Sequence, residues 1–367
     1  MKKILLTVAL LCVCGLASAQ YKYEFTDIKV NPATPVKNQA STGTCWCFAT
    51  VSFLESELLR MGKGEYDLSE MFIVRNNYIR RMNDNYMRRG RGNVSQGSIA
   101  HMATWVMGNV GLMPEEVYNG INYDSPTHNH GDLAKWVKTV SDAAVEMKKP
   151  LPAEITNGVL DAYLGVVPEK FSYKGKEYTA KSFAEALGLN ADDYVELTSF
   201  THHPFYELIP VEVPDNWDHA TMYNLPLDEF MQVIDYAVNA GYTVCWDGDV
   251  SESGYAFQHY VAVNTDEDLR KAQTLTAKAV EKPVTQQSRQ KGYENFTTTD
   301  DHLEHLVGIA KDQDGVKYYK IKNSWGTQRN GTGYHYFSEE YVKGKTISIL
   351  VHKNSIPKAT KSKLGIK

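Results

Sequence analysis

Gln39-Ala40-Ser41-Thr42-Gly43-Thr44-Cys45-Trp46 decides how the rest of this chain is read. Ser41 to Thr44 form a turn rich in helix-capping residues. From Cys45 to Met61, Phe48, Val51, Leu54 (or Leu58) and Met61 recur at helical spacing, and Gly62 ends the run. A cysteine in the first turn of a helix meets unpaired N–H groups and the positive end of the dipole. Both lower a thiol's pKa, and the thiolate is the nucleophilic form. Gln39 lies six residues upstream and can fold back, so that its amide N–H₂ and the backbone N–H of Cys45 make an oxyanion hole for an acyl intermediate. Taken alone, Cys45 is equally a small core residue behind a helix start.

A cysteine nucleophile needs a base, and the last third of the chain offers one. Leu303–Ala310 and Val316–Lys322 alternate like strands around the turn Asp312-Gln313-Asp314-Gly315. Asp301-His302 opens this hairpin and Lys322-Asn323-Ser324-Trp325-Gly326 closes it, so His302 and Asn323 are expected roughly opposite each other. The Asn323 oxygen then accepts from one imidazole nitrogen and leaves the other for Cys45, with Trp325 covering the bond. His305 is the competitor, but three residues along a strand it points to the opposite face. The expected resting state is a Cys45 thiolate beside a His302 imidazolium.

The whole chain fits an exported globular protein. Its 367 residues are 43% hydrophobic and 23% charged with net charge −5, which excludes disordered and collagen-like classes and argues against a general nucleic-acid binder. Lys2-Lys3, the apolar run Ile4–Leu11 and Ala17-Ser18-Ala19 read as a signal peptide over 1–19, cleaved before Gln20, giving a periplasmic or extracellular protein with no membrane anchor. Cleavage leaves Cys45, Cys47 and Cys245, an odd number that predicts a free or intermolecular thiol. Cys47, two along the helix, faces away from Cys45. Helices are expected at Ser69–Met82, Ser98–Gly108, Leu133–Met147 and Leu227–Ala240, and strands at Lys170–Thr179 and Tyr242–Trp246, with a polar loop over 277–300. The class is therefore α+β: one catalytic unit over 20–367, with a helical insertion at about 120–205 and a C-terminal tail at about 355–367. Arg75, Arg80, Arg81, Arg88, Arg89 and Arg91, with Tyr78 and Tyr86, form the basic cluster, read as a solvated helix or subunit contact rather than a nucleic-acid site. Asp247, Asp249 and Glu252 follow a strand without calcium-loop spacing, the cysteines and histidines show no zinc spacing, and no cofactor is expected.

Gln39, Gly43, Cys45-Trp46, Asp301-His302 and Asn323-Ser324-Trp325-Gly326 together resemble the papain-like cysteine peptidases, in that family's order. Pro35-Val36-Lys37-Asn38-Gln39, Asp67-Leu68-Ser69-Glu70-Met71-Phe72, Gly111-Leu112-Met113-Pro114 and Pro226-Leu227-Asp228-Glu229-Phe230 narrow the resemblance to the bleomycin hydrolase and aminopeptidase C branch. The resemblance implies a helical half carrying the nucleophile helix, packed on an antiparallel β half. It implies an aminopeptidase acting on peptide substrates, with a papain-like endopeptidase and a catalytically silent binding protein as alternatives. Closed hexamers are common in that branch, so a homo-oligomer is part of the same expectation. Gly97-Ser98 stand where the family binds substrate backbone, and Trp325 completes the implied substrate-binding set. The branch lays its tail in the cleft to select free N-termini. Here that tail, Lys358 to Lys367, is basic, which opposes its attraction for an ammonium. Thr42 replaces a cysteine common in secreted relatives, and Leu303-Glu304 departs from the small and apolar residues usual after the histidine.

Overall fold

The computed structural model describes residues 20–367, so the expected signal peptide lies outside the described residues. The helical half comprises α1 (Cys45–Arg60), α2 (Glu70–Met87), α3 (His101–Asn109), α4 (Gly131–Met147), α5 (Ala153–Leu164) and α6 (Ala180–Leu187). α1 is enclosed: every residue from Trp46 to Leu58 is buried, Ser52, Glu55 and Glu57 included. Its Trp46, Phe53 and Leu54 share one core with Ile73 and Tyr78 of α2, Met102 and Val106 of α3, and Leu133 and Val137 of α4. Ser69, read as the start of the second helix, is its cap: its hydroxyl accepts from the Phe72 N–H at 3.0 Å.

The β half opens with β1 (Phe25–Val30). Within the helical half lies a hairpin of β2 (Phe171–Tyr173) and β3 (Lys176–Tyr178). Then follow β4 (Tyr194–Thr198), β5 (Leu208–Pro210), β6 (Thr221–Asn224), α7 (Leu227–Asn239), β7 (Val244–Gly248), β8 (Tyr255–Ala256), β9 (Val261–Ala262) and α8 (Gln286–Glu294). β10 (His302–Asp312), β11 (Lys317–Lys322), β12 (Tyr334–Ser338), α9 (Glu339–Lys345), β13 (Thr346–His352) and α10 (Lys358–Leu364) complete it. The main sheet runs β5-β6-β4-β13-β7-β10-β11-β12-β9-β8, with β1 also paired to β10. Alternation along the central strands sorts the two faces. Cys245 and Leu303 pack into the α1 core, while Val244, Trp246 and Leu306 pack with Phe230 and Ile234 of α7 on the other side.

The α+β class stands, with two differences. The insertion ends earlier than expected, because residues 194–198 and 208–210 are strands of the main sheet. The polar stretch 277–300 is not all loop: α8 forms there behind a capping box of Thr285 and Ser288, and it buries Arg289 and Gln290 instead of apolar residues. An apolar-periodicity reading has nothing to detect in such a helix.

The loop that carries Gln39 is anchored by charge. Lys37 Nζ lies 2.6 Å from Asp67, 2.8 Å from Glu70 and 3.2 Å from Glu55 on α1, and it donates to the Leu68 carbonyl at 3.1 Å. Burial pushes the Glu70 carboxyl up to about 7 despite Lys37 beside it. Lys37→Met strands buried carboxylates without their cation, a change that costs about 3–5 kcal/mol. The denaturation midpoint of this variant should fall, and fall further at pH 8 than at pH 5. At pH 5 Glu70 holds a proton, so less charge is left unpaired. Equal losses at the two pH values would exclude this account.

Candidate active site

Thr44, at the cap of α1, makes no side-chain cap bond; its hydroxyl meets that of Thr42 at 2.6 Å. An uncapped helix start keeps its first N–H groups available to another acceptor. Cys45 sits there half-buried, and the backbone N–H of Leu303 points at its sulfur. The residue after His302 therefore meets the thiol across the boundary between helix and sheet.

His302 Nε2 and Asn323 Oδ1 lie 3.0 Å apart. The amide orientation is fixed on both sides. Asn323 Nδ2 donates to the Tyr255 hydroxyl at 3.0 Å, and Asn323 Oδ1 also accepts from the Ser324 N–H at 2.7 Å. Nε2 must then be the donor, which leaves Nδ1 as the basic nitrogen of the neutral ring. Behind Asn323 the chain continues: the Tyr255 hydroxyl donates to Glu304 at 2.8 Å, and the other Glu304 oxygen meets His335 Nε2 at 2.6 Å. Trp325 stacks on the His302 ring with centroids 4.8 Å apart, as a cover for this bond requires. The pairing itself is diagonal. A bulge between Leu306 and Gly308 shifts the register, so the hairpin ends at His305 opposite Lys322 and Asn323 reaches back toward His302. Without that bulge the register would set Asn323 opposite His305; the bulge moves it one residue closer to His302.

Gln39 is buried and held twice: its Nε2 donates to the Thr42 carbonyl at 2.8 Å and its Oε1 accepts from Ser324 at 2.6 Å. One amide proton remains uncommitted beside the start of α1. Ala40 follows at φ +52°, a left-handed conformation that strains a residue with a Cβ and that the loop must sustain.

Burial works against the expected thiolate–imidazolium resting pair. Burial pushes the Cys45 thiol up to about 12; the Leu303 N–H works against this, and the carboxyls of Asp215, Asp300 and Asp247 add to it. Burial likewise lowers the His302 imidazole, against the support of Glu304 and Asn323. Both shifts favour a neutral thiol and a neutral ring.

His305 is enclosed against α1, its Nδ1 2.8 Å from the Ser52 hydroxyl, on the face opposite His302. Cys47 is buried with its thiol directed at the Glu70 carbonyl, 3.3 Å away, and all three described cysteines are free thiols. Ser98 is 1% exposed and its hydroxyl accepts from Trp217 Nε1 at 3.2 Å, so its side chain is turned into the protein. Gly97 lies beside the nucleophile loop. The preceding Gln96 accepts from the Gly43 N–H at 2.8 Å and, through its carbonyl, from Trp46 Nε1 at 3.0 Å. The basic cluster is largely spent internally: Arg75 pairs with Asp161, Arg80 lies over the Trp105 ring, Arg81 binds the Gly97 carbonyl, and Arg88 pairs with Asp84. α10 is pinned to the first turn of α7, with Lys363 Nζ 2.7 Å from Glu229 and Leu364 packed in the α7 core. Among the described residues, its side-chain bonds go to Glu229, Tyr206 and Asn354. This is not the cleft position that the family resemblance implies for the tail. His202, His203 and Glu212 bring possible metal-ligating atoms within 4.8 Å of one another, but Glu212 already bonds both histidines.

The comparisons with known proteins agree with this geometry. Residues 141–366 match the Peptidase C1-like family and residues 22–193 match the papain family cysteine proteases. Aminopeptidase E of Lactobacillus helveticus is 22% identical over 87% of this chain and 81% of its own length. Aminopeptidase C of Lactococcus lactis subsp. cremoris shows the same identity and coverage. The crystal structure of PepW from Lactobacillus rhamnosis superposes with a TM-score of 0.72 at 19% identity, covering 93% of this chain and 84% of that one. With a cysteine on an uncapped helix start and a His–Asn pair under a tryptophan, the chain belongs to the Peptidase C1-like family, as a papain-type cysteine peptidase.

Proposed function

We propose that the protein is a cysteine aminopeptidase that removes N-terminal residues from peptides. The roles follow from the chemistry of each group. His302 Nδ1 takes the thiol proton as Cys45 Sγ attacks the carbonyl carbon, and the oxyanion is held by the Cys45 N–H and the free Gln39 amide proton. The imidazolium returns its proton to the leaving amine as the C–N bond breaks. Water, activated by the same ring, then hydrolyses the thioester. Asn323 positions the ring and Trp325 keeps water from the bond between them. The observation that carries the reading is the 3.0 Å His302–Asn323 contact, with its amide orientation fixed by Tyr255 and Ser324. Two hollows suit a peptide: one of about 450 Å³ beside Trp325, lined by Tyr255, Phe257 and Arg329, and one of about 680 Å³ that runs past Pro214 and Asp300. Export to the periplasm or outside the cell rests on Lys2 to Ala19, and a homo-oligomer on the branch resemblance.

Initial rates on a matched pair of fluorogenic substrates, one with a free α-amine and one N-acylated, test this reading. The free-amine member should be cleaved and the acylated one spared, with Cys45→Ala inactive on both. Efficient cleavage of the acylated member would make the protein an endopeptidase. His302→Ala should lower kcat by at least ~10²-fold, the usual worth of a general base, while His305→Ala keeps most turnover. The reverse ranking would reassign the base.

Glu304→Gln tests the charge behind the ring. The Glu304 carboxylate favours the charged imidazole, so its removal should move the His302 titration to lower pH. An NMR titration in the Cys45→Ala background reads this directly. An unchanged midpoint would mean that the chain from His335 to His302 transmits no charge.

A further inference from the structure

The aminopeptidase reading sets a geometric requirement. In a peptide's first residue the α-nitrogen is two bonds from the carbonyl carbon that the sulfur attacks, about 2.5 Å away. Whatever recognises the ammonium must therefore stand beside Cys45. α10 is engaged with Glu229, Tyr206 and Asn354, so the anchor has to be sought in the wall of the site itself.

That wall is anionic. Asp247 lies directly across the β7–β10 pair from Leu303, the residue whose N–H meets Cys45 Sγ, and shares its face of the sheet. Asp300 precedes His302 by two residues and lines the 680 Å³ hollow together with Pro214. Asp215, next to Pro214, is packed so tightly on Gly97 that a Cβ there would come within 1.9 Å of its Oδ2. Beside Asp215 stands Arg81, fully buried, 3.9 Å away and bound to the Gly97 carbonyl. Asp247 is 1% exposed; its Oδ2 accepts from Ser348 at 3.0 Å, while its Oδ1 has no donor. The Oδ2 of Asp300 has none either, and the two side chains face each other. Two buried carboxyls in contact without a donor hold a proton between them or receive a cation. A primary ammonium supplies both the charge and three N–H donors.

We propose that Asp215 and Asp300, backed by Asp247, bind the α-ammonium of the substrate's first residue and so make free-amine peptides the preferred substrates of this site. The inference rests on the aminopeptidase reading and adds a second effect. The same carboxyls raise the Cys45 thiol, against the Leu303 N–H. An ammonium bound among them cancels that charge and brings the thiol down, so the correct substrate helps to ionise its own nucleophile.

The test compares kcat/KM for an aminoacyl aminomethylcoumarin and its desamino analogue, in the full chain and in Asp215→Asn and Asp300→Asn. The ratio of the two rates should fall roughly 10- to 100-fold in each variant, the scale of one charge-assisted hydrogen bond, with most of the change in KM. Iodoacetamide alkylation of Cys45 against pH gives a reading independent of turnover. Its midpoint should move to lower pH in Asp300→Asn, and also in the unmodified protein when glycinamide is added. This second arm keeps the test decisive if a variant folds poorly. A wild-type protein that prefers neither substrate overturns the aminopeptidase reading and the anchor together. A preference that survives both substitutions, with glycinamide leaving the alkylation midpoint in place, overturns the anchor alone.

Discussion

Everything in the site depends on where the start of α1 meets β10. α1 is enclosed from Trp46 to Leu58, so it cannot turn or slide without breaking a core shared with five other helices and the sheet. Leu303 fills that core with its side chain while its N–H meets Cys45 Sγ, and Ser52 receives His305 one step along. Alternation along β10 then puts His302 on the far face, where Trp325, Asn323 and Tyr255 hold it. Helix and strand thus fix the nucleophile and the base through packing, before any bond between the two is needed.

The same burial sets an electrostatic problem. Moving the thiol from its ordinary value up to about 12 disfavours the thiolate by about 4 kcal/mol. An uncapped helix start returns only ~0.3–2 kcal/mol. Desolvation and the neighbouring carboxyls oppose ionisation of the thiol, while the helix start and the Leu303 N–H favour it.

What was legible in the sequence follows from how local each feature is. Gln39, Cys45 and the helix behind them lie in one continuous stretch, and the hairpin from His302 to Asn323 could be counted from its turn, apart from the bulge before Gly308 that draws Asn323 one residue closer to His302. The helix cap at Ser69 follows ordinary side-chain chemistry. α8 was hidden because its buried residues are Arg289 and Gln290, whose bonds to Ser199 and Thr201 replace an apolar stripe. The Lys37 cluster was hidden for a related reason: Glu55 and Glu70 occupy helix positions that a binary pattern assigns to the surface. For Cys45, first-turn placement was visible in the sequence and the desolvation that opposes it was not.

The acidic wall marks the limit of that local reading. Asp215 follows the turn at Pro214, Asp247 ends β7 and Asp300 precedes β10, so no spacing in the chain links them. Each has a plain explanation alone: a loop acid, a strand end, a residue before a histidine. Only the tertiary structure shows that Asp215 lies beside the buried Arg81 and that Asp247 and Asp300 face each other with oxygens that have no donor. Carboxyls are expensive to bury, and natural proteins rarely bury more than they can pair. A carboxyl pair at the wall of a nucleophile's pocket either shares a proton or takes a cation that arrives from outside. For a peptidase that acts at chain ends, the arriving group with the matching charge and donors is the substrate's own amine.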